Sequence, residues 1–256
     1  LVQHHYAHIL SCMAENEWTT EKRVIGVSFD GTGYGTDGTI WGGEILLADY
    51  DSFTRWGCIE PFAQTGGDAS AKEGWRIAVS LLGKIYGKEN ALLIIETLGL
   101  CEPKLAKLQF TMEERGINTV QSTSAGRLFD AVSAILDIRK SSTFEGEAST
   151  SLQFAAEKWL DAQKKKIAGS EDFAESGIIT DYGELKSISD VAQKSVVEKN
   201  NSINRNIKAD LYYLPTLSLV KELAERKQQS ACLTFPQEIS RDDCLCLRKS
   251  KRRNRD

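Results

Sequence analysis

Asp30-Gly31-Thr32-Gly33-Tyr34-Gly35-Thr36-Asp37-Gly38-Thr39-Ile40-Trp41-Gly42-Gly43-Glu44 places six glycines in fifteen residues. Glycine lets backbone N–H groups approach an anion closely and adopts the positive φ that tight turns need. Upstream, Val24 to Asp30 alternates as a short buried strand, and Thr39 to Ala48 reads as a second. Asp37-Gly38 between them is a hairpin signal. Gly33-Tyr34-Gly35-Thr36-Asp37-Gly38 satisfies GxGxxG formally. A strand follows it, however, where the dinucleotide-binding motif requires a helix, so that reading fails. Two readings stay open: a plain glycine-rich hairpin, or a strand-turn-strand that holds phosphate after an acidic strand end.

Ahead of this stretch, residues 2–16 contain good helix formers with no Gly or Pro and predict one helix of about four turns. All three histidines of the chain lie there, at positions 4, 5 and 8. On a helix His4 and His8 share a face with Cβ atoms roughly 6 Å apart, a metal-chelating spacing. His5 points about 100° away and is not expected to join them. A third ligand should be a carboxylate at the end of a nearby strand, and Asp30 closes the first strand. Imidazole with carboxylate suits Zn²⁺ or Fe²⁺; partly exposed or core histidines without a metal are the ordinary alternative.

From Ala69 the character changes to helical patterns at about 69–86, 103–115, 126–139 and 147–165, with Ser124 placed as a cap. The expected order is helix, β-hairpin, then helices. Gly66-Gly67 precede a helix carrying Lys72 and Arg76 one turn apart, and the polar loop Ser122-Thr123-Ser124 feeds a helix with Arg127 and Asp130 at i, i+3. Both segments fit anion binding at a helix start, and both fit an ordinary cap with a surface ion pair. Trp75, Leu128 and Phe129 read as core.

The 256 residues (28.4 kDa) are 41% hydrophobic and 27% charged, a soluble globular composition, and no apolar run reaches the length of a membrane span. A net charge of −4 excludes a generic polyanion binder, so no nucleic-acid partner is expected. Six cysteines at 12, 58, 101, 232, 244 and 246 hold no CxxC pair and read as free thiols of a reducing, cytoplasmic compartment. From about Ala231 the chain follows neither period. Residues 241–256 carry seven Lys/Arg against three Asp, a basic end on an otherwise acidic chain. The division expected is 1–230 as native fold and 231–256 as an irregular basic tail, with a fragment end or frameshift as its simplest origin.

Five ordered motifs then carry a resemblance over about residues 1–165. They are Val-Gln-His-His-Tyr-Ala-His (2–8), Phe-Asp-Gly-Thr-Gly-Tyr-Gly-Thr-Asp-Gly-Thr-Ile-Trp-Gly-Gly-Glu (29–44), Gly-Gly-Asp-Ala (66–69), Ser-Ala-Gly-Arg-Leu-Phe-Asp-Ala (124–131) and Phe-Glu-Gly-Glu-Ala (144–148). The chain resembles the carboxy-terminal part of the HypF carbamoyltransferase family of nickel-iron hydrogenase maturation. The resemblance implies an α/β (α+β) fold of the ASKHA, actin-like type, related to tRNA threonylcarbamoyl transferases, with its second lobe incomplete here. It implies a divalent metal, zinc or iron, on His4, His8 and Asp30. It further implies phosphate or adenylate contacts from Asp30, Gly31, Thr32, Gly33, Gly66 and Gly67, with Lys72, Arg127 and Asp130 beside them. The implied reaction takes carbamoyl adenylate, made from carbamoyl phosphate and ATP, and passes the carbamoyl group to the C-terminal cysteine of HypE. The upstream domains and a later nucleotide loop of the family are absent, so the isolated chain is expected to be inactive. A tRNA-modifying relative and an inert remnant are the competing expectations.

Overall fold

The computed structural model describes residues 2–19, 22–168 and 211–234. The chain divides into two units, Leu1–Ala155 with Leu211–Asp256, and Ala156–Asp210; of the second, only the end of one helix is described.

Helix α1 (His4–Glu15) starts at Gln3, whose side-chain oxygen accepts the Tyr6 N–H at 2.9 Å. Its Tyr6, Ile9 and Met13 recur at helical spacing and are buried against Trp41, Leu46 and Ala48. Those three belong to strand β2 (Ile40–Ala48), which pairs antiparallel with β1 (Val24–Tyr34) around the Asp37-Gly38 turn, Gly38 having φ +76°. The predicted hairpin is therefore present, with a first strand that runs four residues beyond Asp30. Gly26 lets the helix sit down on the strand, since a Cβ there would lie 2.2 Å from Ile9.

The pairing register shifts between Phe29↔Gly43 and Gly33↔Trp41. Asp30, Gly31 and Thr32 of β1 thus face only Gly42 of β2, a bulge that takes three residues out of the ladder. Bulges of this kind re-aim side chains, and this one carries the acidic residue singled out by sequence.

The sheet is larger than a hairpin. It has six strands in the order β4-β5-β2-β3-β6, with β1 on the other edge of β2, and it is mixed. β3 (Phe53–Ile59) runs antiparallel to β2, and β4 (Phe62–Thr65) antiparallel to β5 (Thr119–Ser122). β5 meets β2 in parallel at Ile40↔Ser122, and β6 (Tyr212–Leu214) is parallel to β3. Strands β3 to β6 were not expected. They span three to seven residues, too few for an alternation to stand out, and apart from β3, which follows β2 through a tight turn, they pair with strands distant in sequence.

The helical patterns are recovered with one break and two additions. The stretch expected at 69–86 is α2 (Ala69–Lys72) and α3 (Gly74–Tyr86), divided at Glu73. A Cβ on Gly74 would lie 2.7 Å from the Asp130 carbonyl, so the start of α3 packs directly on the helix that carries Asp130. α4 (Lys88–Thr97) is additional, α5 spans Pro103–Arg115, and α6 is Ala125–Ile135 with Ser124 as its N-cap, as predicted. α7 covers Glu147–Ala168, and α8 (Thr216–Thr234) is the second addition. The boundary expected at 230/231 falls inside α8, and the tail from 235 on lies outside the described residues.

The main core gathers around α3, whose Ile77, Ala78, Val79, Leu81 and Leu82 are buried together with Ile95, Phe110, Ile135 and Val220. Each of the Val, Leu, Ile and Phe side chains contributes about 1.5–3 kcal/mol of burial. Trp75 and Leu128 join this core, whereas Phe129, expected there, is exposed. Among the described residues no helix is long and apolar enough to cross a membrane.

A buried ionic network fixes the far end of the hairpin. Glu44, fully inaccessible, accepts Arg55 Nε at 2.7 Å and the Thr123 hydroxyl at 2.5 Å. Arg55 also donates to Asp37 at 2.9 Å and lies 4.1 Å above the Trp41 ring. Burial pushes the Asp37 carboxyl up. Hydrogen bonds from the Thr39 hydroxyl and amide and from the Trp41 indole, with the charge of Arg55, outweigh this and hold it below the usual range. Its stabilisation is complete above the unfolded pKa of about 3.9 and is lost as pH falls through the lower folded value. Asp37→Asn should therefore cost stability at pH 6, and the gap to wild type should shrink as pH falls toward 3. Urea unfolding across that range checks this; a gap of constant size would contradict it.

Candidate functional site

Three of the sequence-singled side chains converge. His4 Nε2 lies 2.7 Å from Asp30 Oδ2, His8 Nε2 lies 3.2 Å from His4 Nε2, and His8 Nε2 lies 3.9 Å from the same carboxylate oxygen. All three donor atoms fall within 4.8 Å of one another. Ligands on a tetrahedral zinc, each about 2.0–2.1 Å from the ion, stand roughly 3.4 Å apart, so the spacing suits a small divalent cation with little rearrangement. The helix supplies the two imidazoles from one face, and the β1 bulge brings the carboxylate to them. The Gly31 amide donates to Asp30 Oδ1 at 2.6 Å, leaving Oδ2 for the histidines. Burial raises the Asp30 pKa, but the hydrogen bonds from His4 and the Gly31 amide and the neighbouring imidazoles bring it below the usual range. The carboxylate is ionised, as a ligand must be.

His5 is the residue that sequence reasoning left aside. It does not join the trio, but it is fully buried and its Nε2 lies 4.0 Å from Asp30 Oδ2 with no hydrogen-bond partner among the described residues. Gln3 sets its tautomer. The Gln3 oxygen is taken by the Tyr6 amide, so its Nε2 faces His5 Nδ1 at 3.1 Å and the His5 proton resides on Nε2. Burial lowers the His5 pKa, against the opposing charge of Glu44 and Asp30, so a neutral imidazole aims an unused N–H at the site from beneath. No spacing rule finds this residue, because its role depends on the hairpin closing over the helix.

Gly33 reads differently from its motif. A Cβ there would lie 2.3 Å from His5 Cε1 and 2.7 Å from His4 Cδ2, so its lack of a side chain makes room for the histidines. Gly33→Ala should displace both rings and weaken Zn²⁺ binding about tenfold or more, on the scale of losing a group that orients a ligand. Titration by calorimetry measures this, and wild-type affinity in the variant would refute the packing argument.

Next to the trio the chain holds a buried guanidinium. Arg127 pairs with Asp130 Oδ2 at 2.8 Å and donates to the Ala71 carbonyl, while its Nε has no partner among the described residues. A Cβ on Gly31 would be 3.4 Å from its Nη2. Arg127 is thus wedged between the bulge and α2. Burial pushes the Asp130 carboxyl up, and Arg127 opposes it. Thr32 is exposed on the bulge and donates to the Gly31 carbonyl at 2.6 Å. Gly66 and Gly67 lie in the turn before α2 with φ +113° and +56°, and Lys72 is exposed at the end of that helix. The helix expected after Gly66-Gly67 is only four residues long, and its first amides bond to Gly67 and Asp68 carbonyls. Arg76, which sequence placed beside Lys72, pairs with Glu73 at 2.5 Å and covers Trp75.

The thiols divide by exposure: Cys12 is exposed, and Cys58 is buried with its pKa pushed up to about 11 by desolvation. Desolvation also raises Cys101.

Fold and site together define a mixed α/β domain with an imidazole–carboxylate cluster on a bulged strand and a buried arginine beside it. The family described as carbamoyltransferase, Kae1-like domain, second subdomain, matches residues 26–233. The chain belongs to the HypF carbamoyltransferase family. It is 39% identical over 164 residues to carbamoyltransferase HypF of Rhodobacter capsulatus, covering 60% of this chain and 20% of that protein. With the probable carbamoyltransferase HypF of Methanocaldococcus jannaschii it shares 39% identity over 158 residues, 62% of this chain and 20% of the relative. The crystal structure of full-length HypF in the phosphate- and nucleotide-bound form aligns at TM-score 0.53 and 38% identity, over 59% of this chain and 19% of that one. That of T. kodakarensis HypF aligns at TM-score 0.51 and 28% identity, over 90% and 28%. The chain spans about a fifth of the length of these curated relatives.

Proposed function

We propose that this chain forms the metal-bearing part of a carbamoyl-transfer site in an actin-like lobe, acting on carbamoyl adenylate derived from carbamoyl phosphate and ATP. The observation that carries the reading is the convergence of His4, His8 and Asp30 beside the buried Arg127 in a chain of this family. His4, His8 and Asp30 would hold a zinc or iron ion. When bound, such an ion supplies Lewis-acid polarisation to the carbamoyl end of the mixed anhydride. Arg127, wedged between the bulge and α2, would offer its charge to the phosphate end of the anhydride, with Thr32 and Gly33 of β1 and the Gly66-Gly67-to-Lys72 segment as further contacts; the Gly31 amide is engaged by Asp30 Oδ1. His5 offers its free Nε2–H to an oxygen approaching Asp30. The accepting nucleophile is the C-terminal cysteine of HypE: its sulfur bonds to the carbamoyl carbon, the carbon–oxygen bond to phosphate breaks, AMP leaves with the electron pair, and the thiol proton is released. Cys58 and Cys101, desolvated with raised pKa, do not suit that role. The compartment proposed is the cytoplasm.

A chimera tests this. With this chain in place of the matching 164 residues of the Rhodobacter capsulatus relative, purified protein given carbamoyl phosphate, ATP and HypE should add one carbamoyl group to HypE by intact mass. The Asp30→Ala chimera should not. Transfer of a threonylcarbamoyl group from threonylcarbamoyl adenylate to the adenosine amine of tRNA, with release of AMP and no carbamoylation of HypE, would favour the tRNA-modifying relative. The isolated chain should bind metal without turnover, and neither metal binding nor cooperative melting would identify a remnant.

A further inference from the structure

The three bulge residues Asp30, Gly31 and Thr32 have lost their ladder partners on β2, so some other group must hold the segment that aims the carboxylate. The geometry points to Ser124 as the positioning residue that anchors this bulge and, through it, sets the Asp30 ligand; the inference rests on the metal reading above.

Ser124 is fully buried. Its hydroxyl accepts the Arg127 N–H at 3.1 Å, the N-cap bond of α6, and donates its one proton to the Gly31 carbonyl at 2.6 Å, with the Asp30 carbonyl at 3.3 Å. One oxygen therefore joins the start of the helix that bears Arg127 to the strand segment that bears Asp30. The backbone approach that allows this needs two glycines. A Cβ on Gly126 would lie 2.9 Å from the Gly31 Cα, and one on Gly42 would lie 2.5 Å from the Asp30 carbonyl and 2.9 Å from the Ser124 Cα. Three backbone segments thus meet at the bulge, and the serine hydroxyl is the side chain that bonds across them. Without it the Gly31 carbonyl keeps only the hydroxyl of its own neighbour Thr32, and the Asp30–Gly31 peptide, whose carbonyl faces Ser124 and whose N–H holds Asp30 Oδ1, loses its tie to the start of α6.

Four variants of the full chain test this, with two readouts. Zn²⁺ affinity by calorimetry should fall about tenfold or more in Ser124→Ala, the range for losing a partner that orients a ligand. Ser124→Thr, which keeps acceptor and donor, should restore it to within about threefold. Val220→Ala removes buried volume from α8 and lowers stability without touching the bulge, so it should leave affinity unchanged. Amide hydrogen exchange in the metal-free protein should accelerate over residues 29–34 in Ser124→Ala and not in Val220→Ala. If Ser124→Ala does not fold, Ser124→Cys, of similar shape with a much weaker donor, takes its place. Wild-type affinity and exchange in the donor-deficient variant would overturn the anchor, as would equal affinity loss in Val220→Ala. If the wild-type chain binds no Zn²⁺, the metal reading fails by itself, and exchange alone decides: acceleration upholds the anchor, and unchanged exchange overturns it.

Discussion

Asp30→Ala is expected to abolish Zn²⁺ binding while leaving the metal-free protein about as stable as wild type. The carboxylate supplies the oxygen shared by both imidazoles, at 2.7 Å from His4 and 3.9 Å from His8, so its loss leaves two nitrogens on one helix face and no charge to offset the cation. Losing a group that only orients a ligand costs about 10–100-fold in affinity, and losing the anionic ligand should exceed that range. Stability should respond little in the absence of metal, because Asp30 is a third exposed and makes its bonds within the site. The two effects separate in a thermal melt. Metal at about a hundred times its Kd adds roughly 2.7 kcal/mol to a protein that binds it, so zinc should raise the wild-type transition and leave the Asp30→Ala transition in place. His4→Ala should behave in the same way. A zinc-induced shift that survives in Asp30→Ala would show that the ion binds elsewhere, and the proposed site would fall.

Arg55→Met should be the most destabilising single change outside the apolar core. It removes the partner of Glu44, whose side chain has no solvent exposure, and leaves a buried carboxylate with the Thr123 hydroxyl and two long amide contacts at 3.3 and 3.4 Å. Breaking a buried ion pair from one side costs about 3–5 kcal/mol because the remaining charge cannot be hydrated. The cation–π contact with Trp41 and the bond to Asp37 go with it. The double variant Glu44→Gln, Arg55→Met should recover part of the loss, since a neutral amide is cheaper to bury than an unpaired carboxylate. Urea unfolding of the two variants measures the difference, and a double variant no more stable than Arg55→Met would locate the cost in lost packing.

This network also shows what the glycine-rich motif is for. Read as a sequence, Asp37, Trp41 and Glu44 belong to the same phosphate-like stretch as Asp30. In the structure they brace the β2 end of the hairpin, and the part facing the site runs from the bulge at Asp30–Thr32 to Gly33. Pattern alone does not divide a motif into bracing and site-facing halves, because both require glycines and acidic side chains.

The sequence by itself determined the local elements: the α1 helix with His4 and His8 on one face, the hairpin with its Asp37-Gly38 turn, and the Ser124 cap of α6. Each is encoded by neighbours within a few residues, through helical spacing, positive φ or a hydroxyl at a helix start. Its motifs were also enough to indicate the family. Only the tertiary structure decided the six-stranded mixed sheet, the bulge that turns Asp30 toward the histidines, the burial of His5 beneath them, and the role of Gly33 as space for two rings. These depend on contacts between segments tens of residues apart, Ser124 with Gly31 and Arg55 with Thr123 among them. A hydrogen bond across such a separation leaves no period in the sequence, because its partners are set by how the whole chain packs.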